Sequence, residues 1–183
     1  MAGAAAEEAQ LLDRVRGGDH DAYAVLVRRY TPIALRTAIG LGAGSDAEDV
    51  VQEAFVRAYR AFGSFRPDTD FRPWLLTIVA NQARNVHRGR RRRAERESRV
   101  LPDPPGDDPA ESAEVADRRR AVRRQLALLP DRQREVLVCR YLLELDEKET
   151  CTVLGLSPGT VKSRTSRALR RLRAELAQEV RGG

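Results

Sequence analysis

The chain has 183 residues, with 33 Lys and Arg against 27 Asp and Glu for a net charge of +6, and only 5% aromatic residues beside 33% charged ones. So little aromatic surface and so much charge exclude one large sheet sandwich and favour small helical cores, in one domain or two. Two cysteines, Cys139 and Cys151, cannot build a disulfide framework, and with His20 and His87 the only histidines no metal-ligand cluster stands at familiar spacing. No metal or cofactor is therefore expected. Both cysteines read as small core residues, with a redox role for either as the alternative. The N-terminus lacks the cationic and apolar regions of a secretory signal, and no apolar run approaches ~18 residues, so neither membrane insertion nor export is expected and the predicted location is cytoplasmic.

From His20 to Arg93 several helical segments are expected, broken at Thr31-Pro32, from Gly40 to Gly44 and from Gly63 to Pro73. The best marked begins at Ser45, where Glu48 three residues on completes a capping box, and runs to Phe62. Val51, Phe55, Ala58 and Phe62 line one side of it. Asp49, Gln52 and Glu53 gather on a more polar side, which by itself is an acidic first turn suited to the helix dipole.

A loop from Phe65 through Asp68 and Thr69 to Phe71 follows, then Trp74 and an amphipathic helix reaching Asn81. Aromatic faces and short polar groups are how proteins hold unstacked bases. Phe71 and Trp74 equally suit a simpler task, stapling the loop to the core. Arg84, His87, Arg88 and Arg90 to Arg93 then form a basic run, in isolation a sign only of affinity for polyanions.

Residues 102–112 contain four prolines and nothing apolar larger than Ala besides them, so they can neither continue a helix nor build a core. The predicted division is a domain over 1–93, a flexible acidic linker over 94–117 and a second domain over 118–183. Charge changes sign across it: residues 100–117 hold six acids and no base, and residues 118–183 hold 16 Lys and Arg against 8 Asp and Glu. No internal repeat and no strand-like alternation is present, so the fold class is all-α, two small helical domains.

The second domain opens a helix at Leu129-Pro130-Asp131. Asp146 to Leu154 reads as a short helix, Gly155 as the left-handed residue that ends it, and Leu156 as an apolar plug. Ser157 then caps a helix with Pro158 in its first position and Val161, Thr165, Ala168, Leu172 and Leu176 at helical spacing. A short helix, a tight turn and a cationic helix make a helix-turn-helix, whose second helix enters the major groove. Lys162, Ser163, Ser166 and Arg167 are the candidates for base edges, with Arg164, Arg170 and Arg171 on the DNA backbone.

Four stretches stand in the order of one family. Asp-Ala-Glu-Asp-Val-Val-Gln-Glu-Ala-Phe at 46–55, Trp-Leu-Leu-Thr-Ile-Val-Ala-Asn at 74–81, Leu-Pro-Asp-Arg-Gln-Arg-Glu-Val-Leu at 129–137 and Gly-Thr-Val-Lys-Ser-Arg at 159–164 resemble the extracytoplasmic-function (ECF) sigma factors of bacterial RNA polymerase. The resemblance implies that Asp49, Gln52 and Glu53 dock on the β′ clamp helices of core RNA polymerase. It implies that Phe65, Asp68, Thr69, Phe71 and Asn81 capture a flipped base of the minus-ten element, with Trp74 in support and Arg84, His87 and Arg88 on DNA backbone. For the minus-thirty-five element it implies Thr160, Lys162, Ser163, Ser166 and Arg167 on promoter DNA, with Arg140, Arg164, Arg170 and Arg171 on phosphates and the β flap nearby. An anti-sigma protein is the implied regulator, because the chain leaves no room for a sensor domain after the recognition helix. The sequence departs from the family pattern at Thr150, Cys151 and Thr165, which softens the packing beneath that helix.

A stand-alone helix-turn-helix regulator would explain the second half but neither 46–55 nor 74–81. A nuclease would need clustered carboxylates or a metal site, and the dense acids lie in the Pro-rich segment. A polar scaffold protein is the third class. The expected activity is therefore differential binding, not enzymatic chemistry, with nucleoid association when polymerase is bound.

Overall fold

The structure is a computed structural model that describes residues 2–66, 69–97, 121–122 and 124–182, with side chains described for 6–66, 69–94, 121–122 and 124–175. Every regular element among these residues is helical. The first domain comprises α1 (Ala2–Arg16), α2 (His20–Gly40), α3 (Ala47–Arg60) and α4 (Phe71–Glu97). Helices α2, α3 and α4 pack against one another and α1 lies along α2. Ala22, Leu26, Ala34, Leu75, Leu76, Val79, Ala80 and Ala83 at their contacts are fully enclosed. So many alanines let the helix axes approach closely, which compensates for the scarcity of large side chains.

Aromatic residues are concentrated in one place. Phe62, Phe65, Phe71 and Trp74 form a mutually contacting cluster with ring centroids 5.0 to 6.3 Å apart, joined by Tyr30 at 5.2 Å from Phe71. Burial of each such ring is worth about 1.5–3 kcal/mol, so this cluster ties the loop before α4 firmly to the bundle.

Two local expectations are corrected. Thr31-Pro32 does not break the chain: α2 runs through Pro32 to Gly40. A helix-interior proline costs about 3 kcal/mol, but Leu26, Tyr30, Ala34, Thr37 and Ala38 on both sides of it are buried, and their packing outweighs the loss. The Ser45–Glu48 capping box is not formed. Gly44–Asp46 is a 3-10 turn, α3 begins at Ala47, and the Ser45 hydroxyl is directed at Asp46 (3.2 Å). The better N-cap is Asp19 of α2, which accepts from the Ala22 amide at 3.0 Å and pairs with Arg14. Helix α1, not anticipated, is held to α2 by Tyr30 donating to Glu8 (2.5 Å) and by Arg29 between Glu7 and Glu8.

Residues 94–97 of the expected linker instead continue α4 to Glu97, and 98–117 fall outside the described residues. The second domain resumes with helical residues 124–127 and continues through α5 (Asp131–Leu137), α6 (Glu147–Leu154) and α7 (Pro158–Gly182). A π-helical turn, Val138–Leu142, extends α5. It puts Val138 and Cys139 in the core, turns the chain with the Leu143 amide on the Val138 carbonyl (3.0 Å), and leaves Glu144 at φ 52. A sequence without Gly or Pro there carries no signal for it.

Candidate nucleic-acid and partner interfaces

The helix-turn-helix forms as its residues dictate. Asp146 and Glu149 make a reciprocal capping box at the start of α6. Gly155 is left-handed (φ 65, ψ 41), and the Gly155 and Leu156 amides turn back onto the carbonyls of Thr152 and Cys151 at 3.3 and 3.0 Å. Ser157 accepts from the Thr160 amide (3.4 Å) and shares a hydrogen bond with the Thr160 hydroxyl (2.9 Å). Val161 and Ala168 are buried on the inner side of α7, while Leu156, Leu169 and Leu172 are half-buried against the core.

On the outer side of α7, Lys162, Ser166, Arg167, Arg170 and Arg171 are exposed, and Thr160, Ser163 and Arg164 are half-buried. Ser163 donates to the Thr160 carbonyl (3.1 Å), Lys162 stands 3.6 Å from Glu147, and Arg171 is 3.8 Å from Glu175. Arg140 lies apart in sequence but lines one cleft with Lys162, Ser166 and Arg170, oriented by its bond to the Leu145 carbonyl (2.8 Å). The departures from the family pattern fall where packing matters. Thr150 is fully buried with no hydrogen-bond partner for its hydroxyl, Cys151 is half-buried, and Thr165 is half-buried under the exposed cations. Leu176 has no described side chain. Cys139 is enclosed, and burial, with Glu135 adding to it, pushes its thiol up to about 12, which leaves it a core residue without thiolate reactivity.

In the first domain, Asp49, Gln52 and Glu53 are exposed on α3, and Glu53 pairs with Arg57 at 2.7 Å. Next to them a groove of about 920 Å³ runs between α2 and α3, lined by Tyr23, Val27, Leu35, Val51, Val56 and Tyr59. Sequence reasoning missed this apolar surface. Its signal was the second apolar row Val56 and Tyr59, three residues apart on α3 and outside the core stripe.

The residues of the expected base-capturing loop separate into two kinds. Phe65 and Phe71 are 3% and 1% exposed, so their faces are closed to a base, contrary to the stacking role expected for them; the ring cluster needs them as its floor. Trp74 is half-buried on the same cluster, as the staple reading expected. Thr69 and Asn81 are exposed, Thr69 donating to the Arg66 carbonyl and Asn81 accepting from Arg84 (3.1 Å); Asp68 lies outside the described residues.

Of the cations on α4, Arg88 is exposed and bonded to Asn85, whereas Arg84 and His87 face the second domain. Arg84 donates to the Val153 carbonyl (3.3 Å), and its Nε is 3.4 Å from Glu135 without hydrogen-bond geometry. His87 stands 3.2 Å from Asp131 and packs over Gly42, where a Cβ would come within 2.7 Å of the imidazole Nδ1. Gly42 also needs its positive φ of 92, so both the turn and the ring position depend on glycine here. Burial of Asp131 alone would raise its pKa, but the Arg134 guanidinium, then His87 and Arg91, prevail and hold it below the ordinary carboxylate range.

Two packed helical domains, one carrying a helix-turn-helix with an exposed cationic helix, have the architecture of a DNA-binding protein. The Sigma-70 region 2 profile matches residues 23–93, and the Sigma-70 region 4 profile matches residues 119–172. The chain is 33% identical to the RNA polymerase sigma-H factor of Pseudomonas aeruginosa, over 88% of this chain and 90% of that one. It is also 33% identical to the ECF RNA polymerase sigma-E factor of Escherichia coli K12, over 86% and 88%. Among solved structures it is similar to CnrH in complex with the cytosolic domain of CnrY (TM-score 0.72, 29% identity, 93% of this chain and 97% of that one). A second is the sigma factor RpoE with the anti-sigma factor NepR from Bartonella quintana (TM-score 0.66, 28% identity, 82% and 95%). The chain belongs to the sigma-70 family, in its ECF group, and is a sigma factor that directs RNA polymerase to promoters. No helix among the described residues is long and apolar enough to cross a membrane.

Proposed function

We propose that this sigma factor works as a two-point reader. Helix α7 fixes the chain on duplex DNA at the minus-thirty-five element through Lys162, Ser163, Ser166 and Arg167, with Thr160 beside them and Arg140, Arg164, Arg170 and Arg171 on phosphates. The loop before α4, with Thr69 and Asn81 as its open polar groups and Phe65, Phe71 and Trp74 as its support, holds an unstacked base of the minus-ten element as the duplex opens. Arg84, His87 and Arg88 hold backbone beside it. Unstacking a base costs a few kcal/mol, so polymerase-bound DNA is opened by differential binding and no covalent step or cofactor enters.

The observation that supports this reading best is the exposure of Lys162, Ser166 and Arg167 on a helix whose opposite side is anchored by Val161 and Ala168. Asp49, Gln52 and Glu53, bordering the apolar groove between α2 and α3, form the surface for the β′ clamp helices, and the second domain meets the β flap. An anti-sigma protein covering these polymerase-binding surfaces is the proposed regulator. Adding it should abolish retention of the chain on core polymerase.

The test is reconstitution with core RNA polymerase on genomic DNA, with sequencing of the 5′ ends of the transcripts. Discrete start sites that require the chain are expected, and the combined charge reversals Asp49→Lys and Glu53→Lys should abolish them together with polymerase binding. No chain-dependent starts, or sequence-specific DNA binding without polymerase, would overturn the reading in favour of a stand-alone regulator.

A further inference from the structure

Of the three acids that open α6, Asp146 and Glu149 close the capping box between them, and Glu149 also stands 3.6 Å from Arg72. Glu147, the first residue of the helix, takes no part in that box. It is half-buried on the wall of the cleft that it shares with Arg140, Lys162, Ser166 and Arg170, and its carboxylate lies 3.6 Å from the Lys162 ammonium. The Lys162 side chain is 72% exposed, and an ion pair so open to water contributes little to stability. On a surface that holds phosphates, an acid also weakens the general attraction for DNA. Neither folding nor nonspecific affinity accounts for its place, whereas a base edge does.

In the major groove each base pair shows a keto oxygen on one strand and an exocyclic amine on the other. Guanine O6 stands opposite cytosine N4, and thymine O4 opposite adenine N6. Within each pair these two groups are hydrogen-bonded to one another, which sets them about 3 Å apart. An ammonium and a carboxylate 3.6 Å apart match that spacing: Lys162 donates to the keto oxygen while Glu147 accepts from the amine. With the base pair reversed, the carboxylate faces a keto oxygen and the ammonium faces an amine, and both meetings are repulsive. Guanine offers Lys162 a second acceptor, N7, which thymine lacks.

We propose that Glu147 is a specificity-determining residue of the helix-turn-helix, which with Lys162 reads the orientation of one base pair in the minus-thirty-five element. The pair takes guanine opposite cytosine best and thymine opposite adenine next, and it rejects both reversed arrangements. The proposal rests on the sigma reading above. It brings the first helix of the motif into base readout and adds an acceptor to a surface otherwise made of donors.

The test uses the full chain with core polymerase and one chain-dependent promoter whose minus-thirty-five element is randomised, each template carrying a barcode in its transcribed region. Sequencing of the transcripts gives the base preference at every position. The wild type should favour guanine over cytosine on one strand of one position by about tenfold or more, the size of one good base contact. Glu147→Ala and Glu147→Gln should each reduce that ratio to about threefold or less and leave the ratios at other positions intact, and Lys162→Ala should weaken the preference at the same position. If Glu147 only lowers the charge of the surface, its removal raises the yield from all templates with every preference unchanged. If it only favours the helix dipole, its removal lowers the melting temperature with every preference unchanged. Either result, or an altered preference only at a position that Lys162→Ala leaves untouched, would overturn the proposal. A wild type without chain-dependent starts would instead sink the sigma reading itself.

Discussion

On α4, Arg84 and His87 are turned into protein and matched by carboxylates and carbonyls, whereas on α7 Lys162, Ser166 and Arg167 stand in solvent with the acid Glu147 near one of them. The anchors differ too. Helix α4 starts on a cluster of aromatic rings, and α7 is anchored by its own small buried residues Val161 and Ala168. Two helices of the same chemical type thus place their cations differently: α4 turns Arg84 and His87 onto the second domain, and α7 leaves Lys162 and Arg167 in solvent. Basic residues mark a nucleic-acid face only once it is known what already neutralises them.

The comparison can be broken from the α4 side first. Phe71→Ala should cost about 3–5 kcal/mol of stability, measured by urea denaturation, because a fully enclosed ring is replaced by a cavity. A cost below about 1 kcal/mol would mean that the cluster is not the floor of the loop. Arg84→Ala and Arg167→Ala then form a matched pair. Arg84→Ala should lower stability by about 2 kcal/mol, since it leaves the shielded Glu135 carboxylate uncompensated. Arg167→Ala should leave stability within about 0.5 kcal/mol and instead weaken polymerase-dependent promoter binding by about 1–3 kcal/mol. Equal stability losses would erase the distinction between the two helices.

Thr150→Val keeps the shape and removes the unpartnered hydroxyl, so it should raise the melting temperature with a gain of about 1 kcal/mol. The smallest effect concerns pH. Asp131 has a depressed pKa in the folded chain, so its contribution to the contact between the domains is complete above the ordinary carboxylate value and is lost as pH falls through the depressed one. An acid titration of the scattering radius should show that contact loosening, and Asp131→Asn should remove that part of the acid limb.

Much of this architecture was legible in the chain. Gly155 and the helix start at Asp146 were legible because a left-handed helix end and a helix start are local devices, decided within a few residues; the capping box with Glu149 that secures that start is a finding of the structure. Pro32 misled because its cost is local while the compensation comes from burial on both sides of the helix, which no short window records. Ser45 misled for the opposite reason: a competing 3-10 turn at Gly44–Asp46 takes the residues that a cap would have used. The four family motifs identified the candidate surfaces, but not that Phe65 and Phe71 are enclosed or that Arg84 and His87 are engaged. Those facts depend on contacts between parts of the chain far apart in sequence, such as Tyr30 against Phe71 and Arg84 meeting Val153, and periodicity carries no information about them. The groove between α2 and α3 escaped because Val56 and Tyr59 look like ordinary surface exceptions until α2 is laid beside them.

The central claim, that one chain reads a promoter at two points of different kinds, is tested most directly by site-specific photocrosslinking from positions 81 and 167 in the polymerase–promoter complex. The account predicts that position 167 crosslinks upstream duplex DNA whether or not the template has opened, and that position 81 crosslinks a single strand near the start site only after opening. Crosslinks from position 81 to closed duplex, or from both positions to the same DNA segment, would contradict it.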